Sequence, residues 1–92
     1  MSYIIVRTNR FKKSLRRCLK RGLNEQLIKD AIILLTTTGT LPPKYKPHRL
    51  SGEFEGAWEC HIQPDWLMVW KQNDQELVLL LLETGSHSDI FG

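Results

Sequence analysis

Trp58-Glu59-Cys60-His61-Ile62-Gln63-Pro64-Asp65-Trp66-Leu67-Met68-Val69-Trp70 is the stretch on which the fold turns. Trp58, Cys60 and Ile62 fall on one side of an extended chain, and Glu59, His61 and Gln63 on the other, the period-two alternation of a strand. Pro64-Asp65 carries turn chemistry, with proline presetting φ for the first corner and aspartate suiting the second. Trp66 to Trp70 is the returning strand. A hairpin follows, with His61 and Asp65 at the same end of it.

Working outward, Asn73-Asp74 is the next turn, and Leu77 to Leu82 is a third strand, apolar enough to be buried on both faces. The tail from Gly85 to Gly92 is polar apart from Ile90 and Phe91. In the other direction strand signals begin at Phe54, and Pro42, Pro43 and Pro47 hold Leu41 to Leu50 extended and irregular. Thr36-Thr37-Thr38-Gly39-Thr40 is a poor helix former and ends a helix whose apolar face is Leu27, Ile28, Ala31, Ile32, Leu34 and Leu35. Asn24 suits the cap of that helix and Gly22 the stop of the one before it. The earlier helix, capped by Thr8 or Asn9, carries a stripe of Phe11, Leu15, Cys18 and Leu19, and a strand at Tyr3 to Arg7 precedes it. The predicted class is α+β in the order β-α-α-β-β-β: a mainly antiparallel sheet with a helical hairpin packed on one face.

At 92 residues the chain is expected to be a single domain, 1–92, of ordinary globular composition, 41% hydrophobic and 25% charged. No apolar run approaches the roughly 20 residues of a bilayer span, so no membrane partner is expected. Met1-Ser2-Tyr3-Ile4 lacks the regions of a signal peptide, which predicts a cytoplasmic protein. Cys18 and Cys60, single and widely spaced, read as two free thiols in a reducing compartment.

The net charge of +3 is unevenly placed. Residues 1–24 hold eight Lys and Arg and no acid, whereas the rest hold five against ten Asp and Glu. Lys12, Lys13, Arg16, Arg17, Lys20 and Arg21 cover the polar side of the first helix, a field suited to RNA or to an acidic protein segment competing for the same surface.

His48 lies in the proline-rich loop, His61 on the polar side of a strand and His87 in the tail, with Asp65 at the turn. Imidazoles exchange protons near neutral pH. Two or three around a cleft, with a carboxylate, suffice to cleave RNA through its own 2′-hydroxyl: one group removes the 2′ proton and another protonates the departing 5′-oxygen. Three histidines and an aspartate are also potential zinc ligands, but their scattered spacing forms no ligand motif. The reading is therefore of no metal and no cofactor.

Three segments sharpen this. Tyr45-Lys46-Pro47-His48-Arg49-Leu50-Ser51-Gly52 resembles the YKxHxLxG segment of the YafQ-like branch of the RelE/ParE toxin superfamily. Cys60 to Trp70 resembles that branch's HxxPDWxLxY segment, and Thr84-Gly85-Ser86-His87-Ser88-Asp89-Ile90-Phe91-Gly92 its TGTHxxLFG segment. Their order and intervals agree over essentially the whole chain. The resemblance implies a RelE-like fold and a type II toxin, an endoribonuclease that cuts mRNA on the translating ribosome and is silenced by a cognate antitoxin. Operator DNA would be met only through the antitoxin complex. The matched positions imply that His48, His61, Asp65 and His87 are catalytic and that Phe91 holds the nucleotide. His87 would be the general acid, Asp65 or His61 the base, and His48 a phosphate ligand or a tuner of its neighbours.

Two positions depart from the pattern. Trp70 replaces a more usual tyrosine. Glu83 stands where relatives usually have arginine, and a carboxylate there should repel the scissile phosphate. Either Lys46, Arg49 or Lys71 supplies the missing cation, or activity is reduced. The alternative function is an impaired or non-catalytic protein of the RelE/ParE fold, acting through its antitoxin or another protein target.

Overall fold

The computed structural model describes residues 2–92 and runs β1 (Ile4–Arg7), α1 (Asn9–Lys20), α2 (Glu25–Thr38), β2 (His48–Arg49), β3 (Trp58–Gln63), β4 (Trp66–Asn73), β5 (Val78–Gly85) and α3 (His87–Phe91). Single 3₁₀ turns lie at Pro43–Tyr45 and Gly52–Phe54. The strands form one sheet in the order β1-β5-β4-β3-β2. β1 is parallel to β5 and the other pairs are antiparallel.

Local chemistry explains the ends of the helices. The Thr8 side chain accepts the Phe11 N–H, while its hydroxyl donates to the Leu81 carbonyl, so one residue caps α1 and ties it to β5. Asn24 caps α2, and Gly39, at φ 76°, ends it in the left-handed conformation that glycine adopts without penalty. The threonines before Gly39 were expected to end the helix and instead continue it. Thr36, Thr37 and Thr38 donate to the carbonyls of Ile32, Ile33 and Leu34 one turn back, which offsets their weak propensity.

The main core lies between the helices and one face of the sheet. Phe11 and Cys18 of α1 and Ile28, Ala31 and Leu35 of α2 meet Cys60, Trp66, Met68, Trp70, Leu79 and Leu81, all 0–1% exposed. A second, smaller cluster, Ala57, Leu67, Val69 and Ile90 with Leu50, Phe54 and Leu82 at its margin, fills part of the opposite face beneath α3. Alternation along β3 and β4 assigns Trp58, Cys60 and Met68 to the helix side and Glu59, His61, Leu67 and Val69 to the other.

Several expectations are corrected. The segment from Leu41 to Leu50 is not wholly irregular: His48 and Arg49 pair with Glu59 and Trp58 as an edge strand too short to show periodicity. Phe54 is in a 3₁₀ turn, and the strand begins only at Trp58. The third strand of the predicted meander is fully buried on one face only, since Val78, Leu80 and Leu82 remain partly exposed. The polar tail, for which no element was expected, holds a short helix. Ser86 accepts the Asp89 N–H while Asp89 accepts the Ser86 N–H, a capping box that nucleates α3.

Candidate active site

The hairpin brings His61 and Asp65 to one end of the sheet, as its turn chemistry requires. A register shift between His61 and Gln63 bends β3 there, and the His61 ring is held by Nδ1 against the Pro64 carbonyl at 3.2 Å. α3 begins beside this turn. The His87 backbone N–H donates to Asp65 Oδ1 at 2.9 Å and its ring Nδ1 meets the same oxygen at 2.7 Å. These two contacts, the backbone one first, hold the Asp65 carboxyl below the ordinary carboxylate range. Asp65 thus stands as a carboxylate that receives both the backbone and the ring nitrogen of His87.

The three imidazoles, far apart in sequence, form a row. Ring centroids are 6.3 Å apart for His48 and His61 and 5.8 Å apart for His61 and His87. Phe91 continues the row 6.4 Å beyond His87, and its half-exposed ring is held edge-on by Phe54 at 5.8 Å. With Nδ1 of His61 and of His87 tied back, neither Nε2 has a hydrogen-bond partner among the described residues. The two free nitrogens belong to adjacent rings.

His48 is held differently. Its Nδ1 meets the Lys46 carbonyl at 2.9 Å and its Nε2 meets Glu59 Oε1 at 3.0 Å, so both nitrogens are occupied. Lys46, left-handed at φ 48°, turns the chain so that its carbonyl reaches the ring. Glu59 is 4% exposed, an acid that alternation alone assigned to the polar side of a strand.

The candidate phosphate cations separate. Lys46, with Lys44, lines a cleft of about 260 Å³ beside His61, Gln63 and Pro64. Arg49 lies over the Trp58 ring, 5.2 Å from its centroid, on the strand side opposite His48. Lys71 lines another cleft with Gly56, Glu76, Val78 and Leu80, four residues along β4 from Leu67, the partner of His61. Only Lys46 is gathered to the histidines. Glu83 is buried, takes the Arg10 Nε–H at 2.5 Å and accepts from the Ser14 hydroxyl. Its charge is thus neutralised against α1.

The basic side of α1 forms an open cleft of about 510 Å³ lined by Lys13, Arg16, Arg17, Lys20 and Arg21, with Lys12 exposed on the same helix. One end of it is joined to α3, the helix that carries His87. Arg21 donates to both Asp89 oxygens at 2.5 and 3.1 Å, and Arg17 approaches at 3.9 Å. The Arg21 bond, then the Ser86 N–H, hold Asp89 well below the usual carboxylate range. Gly85 is required here because a Cβ would stand 2.8 Å from the Asp89 side chain. Thr84 joins the same scaffold, accepting from the Trp66 indole at 2.9 Å and donating to the Leu67 carbonyl at 2.7 Å.

Sequence reasoning missed Glu59, Phe54, Lys44 and the Arg21–Asp89 link. The acidic residue among apolar neighbours at the start of β3 was the one available signal for Glu59. Cys18 and Cys60 are buried free thiols, and burial pushes Cys60 up to about 12.

Comparison with known proteins bears on all of this. Residues 3–92 match the family model described as YafQ_toxin, bacterial toxin of type II toxin-antitoxin system, YafQ. The mRNA interferase toxin YafQ of Escherichia coli strain K12 is 37% identical over 60 residues, 65% of this chain and 63% of that one, so that alignment spans less than two thirds of the relative. The E. coli DinJ-YafQ toxin-antitoxin complex superposes at a TM-score of 0.89, with 29% identity and full coverage of both chains. A metal-bound toxin from Helicobacter pylori superposes at 0.87, with 37% identity, covering 99% of this chain and 100% of that chain. With its family model matched over residues 3–92, the chain belongs to the YafQ family of type II toxin-antitoxin toxins.

Proposed function

We propose that the chain is an mRNA interferase that cuts ribosome-bound mRNA in the cytoplasm by metal-independent transesterification. The observation that carries this reading is the pairing of two adjacent imidazoles, His61 and His87, each with Nδ1 anchored and Nε2 free. An Nδ1–H donated to Pro64 leaves a lone pair on His61 Nε2, the form of a base. Asp65 orients His87 through Nδ1 and leaves Nε2 to face the leaving oxygen, the placement an acid needs. His61 takes the 2′-hydroxyl proton, and the 2′-oxygen bonds to phosphorus. The bond from phosphorus to the 5′-oxygen breaks, and His87 gives that oxygen its Nε2 proton. The products are a 2′,3′-cyclic phosphate and a 5′-hydroxyl. Each positioned transfer contributes about 10²–10⁴-fold. Between the two candidates for the base, the geometry supports His61 over Asp65. Phe91, braced by Phe54, offers its face to a base flanking the cut, and Lys46 with Lys44 meets the phosphate.

The basic cleft of α1 suits ribosomal RNA through salt-sensitive, sequence-independent attraction. A cognate antitoxin is the second partner, in line with the DinJ-YafQ complex of the relative, and its acidic residues would compete for the same cleft; operator DNA is reached only in that complex. Glu83, the feature favouring a non-catalytic binding protein, is screened by Arg10 and Ser14, which removes its main argument.

Expression of the chain alone should arrest growth, and purified protein with translating ribosomes should leave mRNA ends carrying 2′,3′-cyclic phosphate, with 1,10-phenanthroline, which spares the Mg²⁺ that ribosomes need, making no difference. Loss of cleavage in 1,10-phenanthroline at constant Mg²⁺, restored by a transition metal, would overturn the proposed chemistry.

A further inference from the structure

The His48–Glu59 contact does not fit the roles given to the other histidines. With Nδ1 facing a carbonyl and Nε2 facing a carboxyl, a proton must lie on each side of the ring: one donated to Lys46, and one shared with Glu59 Oε1. His48 as it stands therefore has no lone pair to offer a 2′-hydroxyl. Glu59 is buried, and its second oxygen, Oε2, has no hydrogen-bond partner among the described residues. A buried carboxyl left half-satisfied is costly to the fold, so its presence here calls for an explanation. Glu59 pairs with His48 across β2 and β3 and stands two residues before His61 on β3, facing the same side.

From this geometry we infer that Glu59 is a positioning residue: it holds the His48 ring by a shared proton, so that His48 braces the site and His61 alone takes the substrate proton. The inference rests on the proposed ribonuclease reading. The edge strand bearing His48 is two residues long, and alone it would not fix an exposed ring to within the tolerance that proton transfer needs. The buried acid behind it supplies that constraint.

The test compares wild type, Glu59→Gln, Glu59→Asp, His48→Ala and the double variant His48→Ala/Glu59→Gln by mRNA cleavage on ribosomes and by ¹⁵N spectra of the histidine rings. Glu59→Gln should lower kcat about tenfold with KM unchanged, and Glu59→Asp should recover part of it. In the His48→Ala background, Glu59→Gln should change kcat less than twofold. The His48 Nε2 resonance should move in Glu59→Gln while those of His87 stay. Equal losses from Glu59→Gln with and without His48, or an unmoved His48 Nε2, would overturn the assignment. Should Glu59→Gln fail to fold, Glu59→Asp against His48→Ala/Glu59→Asp carries the same cycle. The spectra are read without RNA, so a chain that cuts nothing sinks the ribonuclease reading and still tests the Glu59–His48 contact.

Discussion

The two faces of the sheet have opposite construction. On the helix side, Trp66, Trp70, Met68, Leu79 and Leu81 are fully buried against α1 and α2, and nearly every contact is apolar. On the other side a small cluster around Leu67, Val69 and Ile90 supports a row of imidazoles, two carboxyls and an exposed phenyl ring. One sheet thus separates stability from chemistry: the closed face holds the strands rigid, and the open face spends that rigidity on side chains that face water. The difference teaches why so small a domain can place imidazoles and a carboxyl on a short edge strand, a turn and a five-residue helix. All three are anchored to strands fixed from behind.

The sharpest way to break this division is to substitute once on each face. His61→Ala should lower the single-turnover cleavage rate by about 10²–10⁴-fold, while its melting free energy stays within about 0.5 kcal/mol of wild type. Trp70→Ala, on the closed face, should cost about 3–5 kcal/mol in urea unfolding and leave the rate of the folded fraction within a few-fold. A His61 variant that destabilised as much as the Trp70 variant would show that the faces are not separable.

Glu83 sits where the division is weakest. The sequence pattern alone makes restoration of arginine there either a gain of activity or, if another cation serves or the protein is not an enzyme, no change. Its buried carboxylate, held by Arg10 and Ser14, predicts the reverse. Glu83→Arg would set a guanidinium against Arg10 and strand the Ser14 hydroxyl. Breaking a buried ion pair costs about 3–5 kcal/mol, reduced here to about 2–3 because Arg10 is 63% exposed. The expected result is a lower melting temperature and no increase in cleavage, and the joint change Arg10→Glu/Glu83→Arg should recover much of the lost stability. A stable, faster Glu83→Arg single variant would mean that the carboxylate does repel the phosphate.

The closed face was legible in the sequence because its signals are local and periodic. Trp58, Cys60 and Ile62 alternate, Phe11 and Cys18 recur at helical spacing, and Pro64-Asp65 names its own turn. The convergence of His48, His61 and His87 was not legible from spacing, since it depends on long-range pairings that no local pattern encodes; the family motifs carried it. What remained hidden was relational. Glu59 looked like a solvent-facing strand residue because burial by an edge strand of two residues leaves no periodic trace. α3 looked like a polar tail because its start is encoded by a reciprocal Ser86–Asp89 cap rather than by an apolar stripe. Glu83 looked like a liability because its partners, Arg10 and Ser14, lie about 70 residues away.

The smallest expected effect probes the Arg21–Asp89 link between the basic helix and the open face. Asp89 accepts from Arg21 and from the Ser86 N–H, so it secures the element carrying His87 and Phe91. Asp89→Asn keeps the size and the cap but removes the charge that Arg21 holds, and cleavage should fall roughly 3- to 10-fold, about 0.7–1.4 kcal/mol. Arg16→Ala removes a charge from the same basic cleft without any contact to Asp89, so it should raise KM and spare kcat. The pH dependence separates the two further. Because Asp89 binds its proton less readily when folded than when unfolded, its stabilisation is complete above the ordinary carboxylate range and fades as pH falls through the depressed native value. The gap in melting temperature between wild type and Asp89→Asn should therefore be widest near neutrality and close below about pH 4. A gap that stayed constant down to pH 2 would mean that Asp89 acts through shape alone, and that the ion pair with Arg21 does not secure α3.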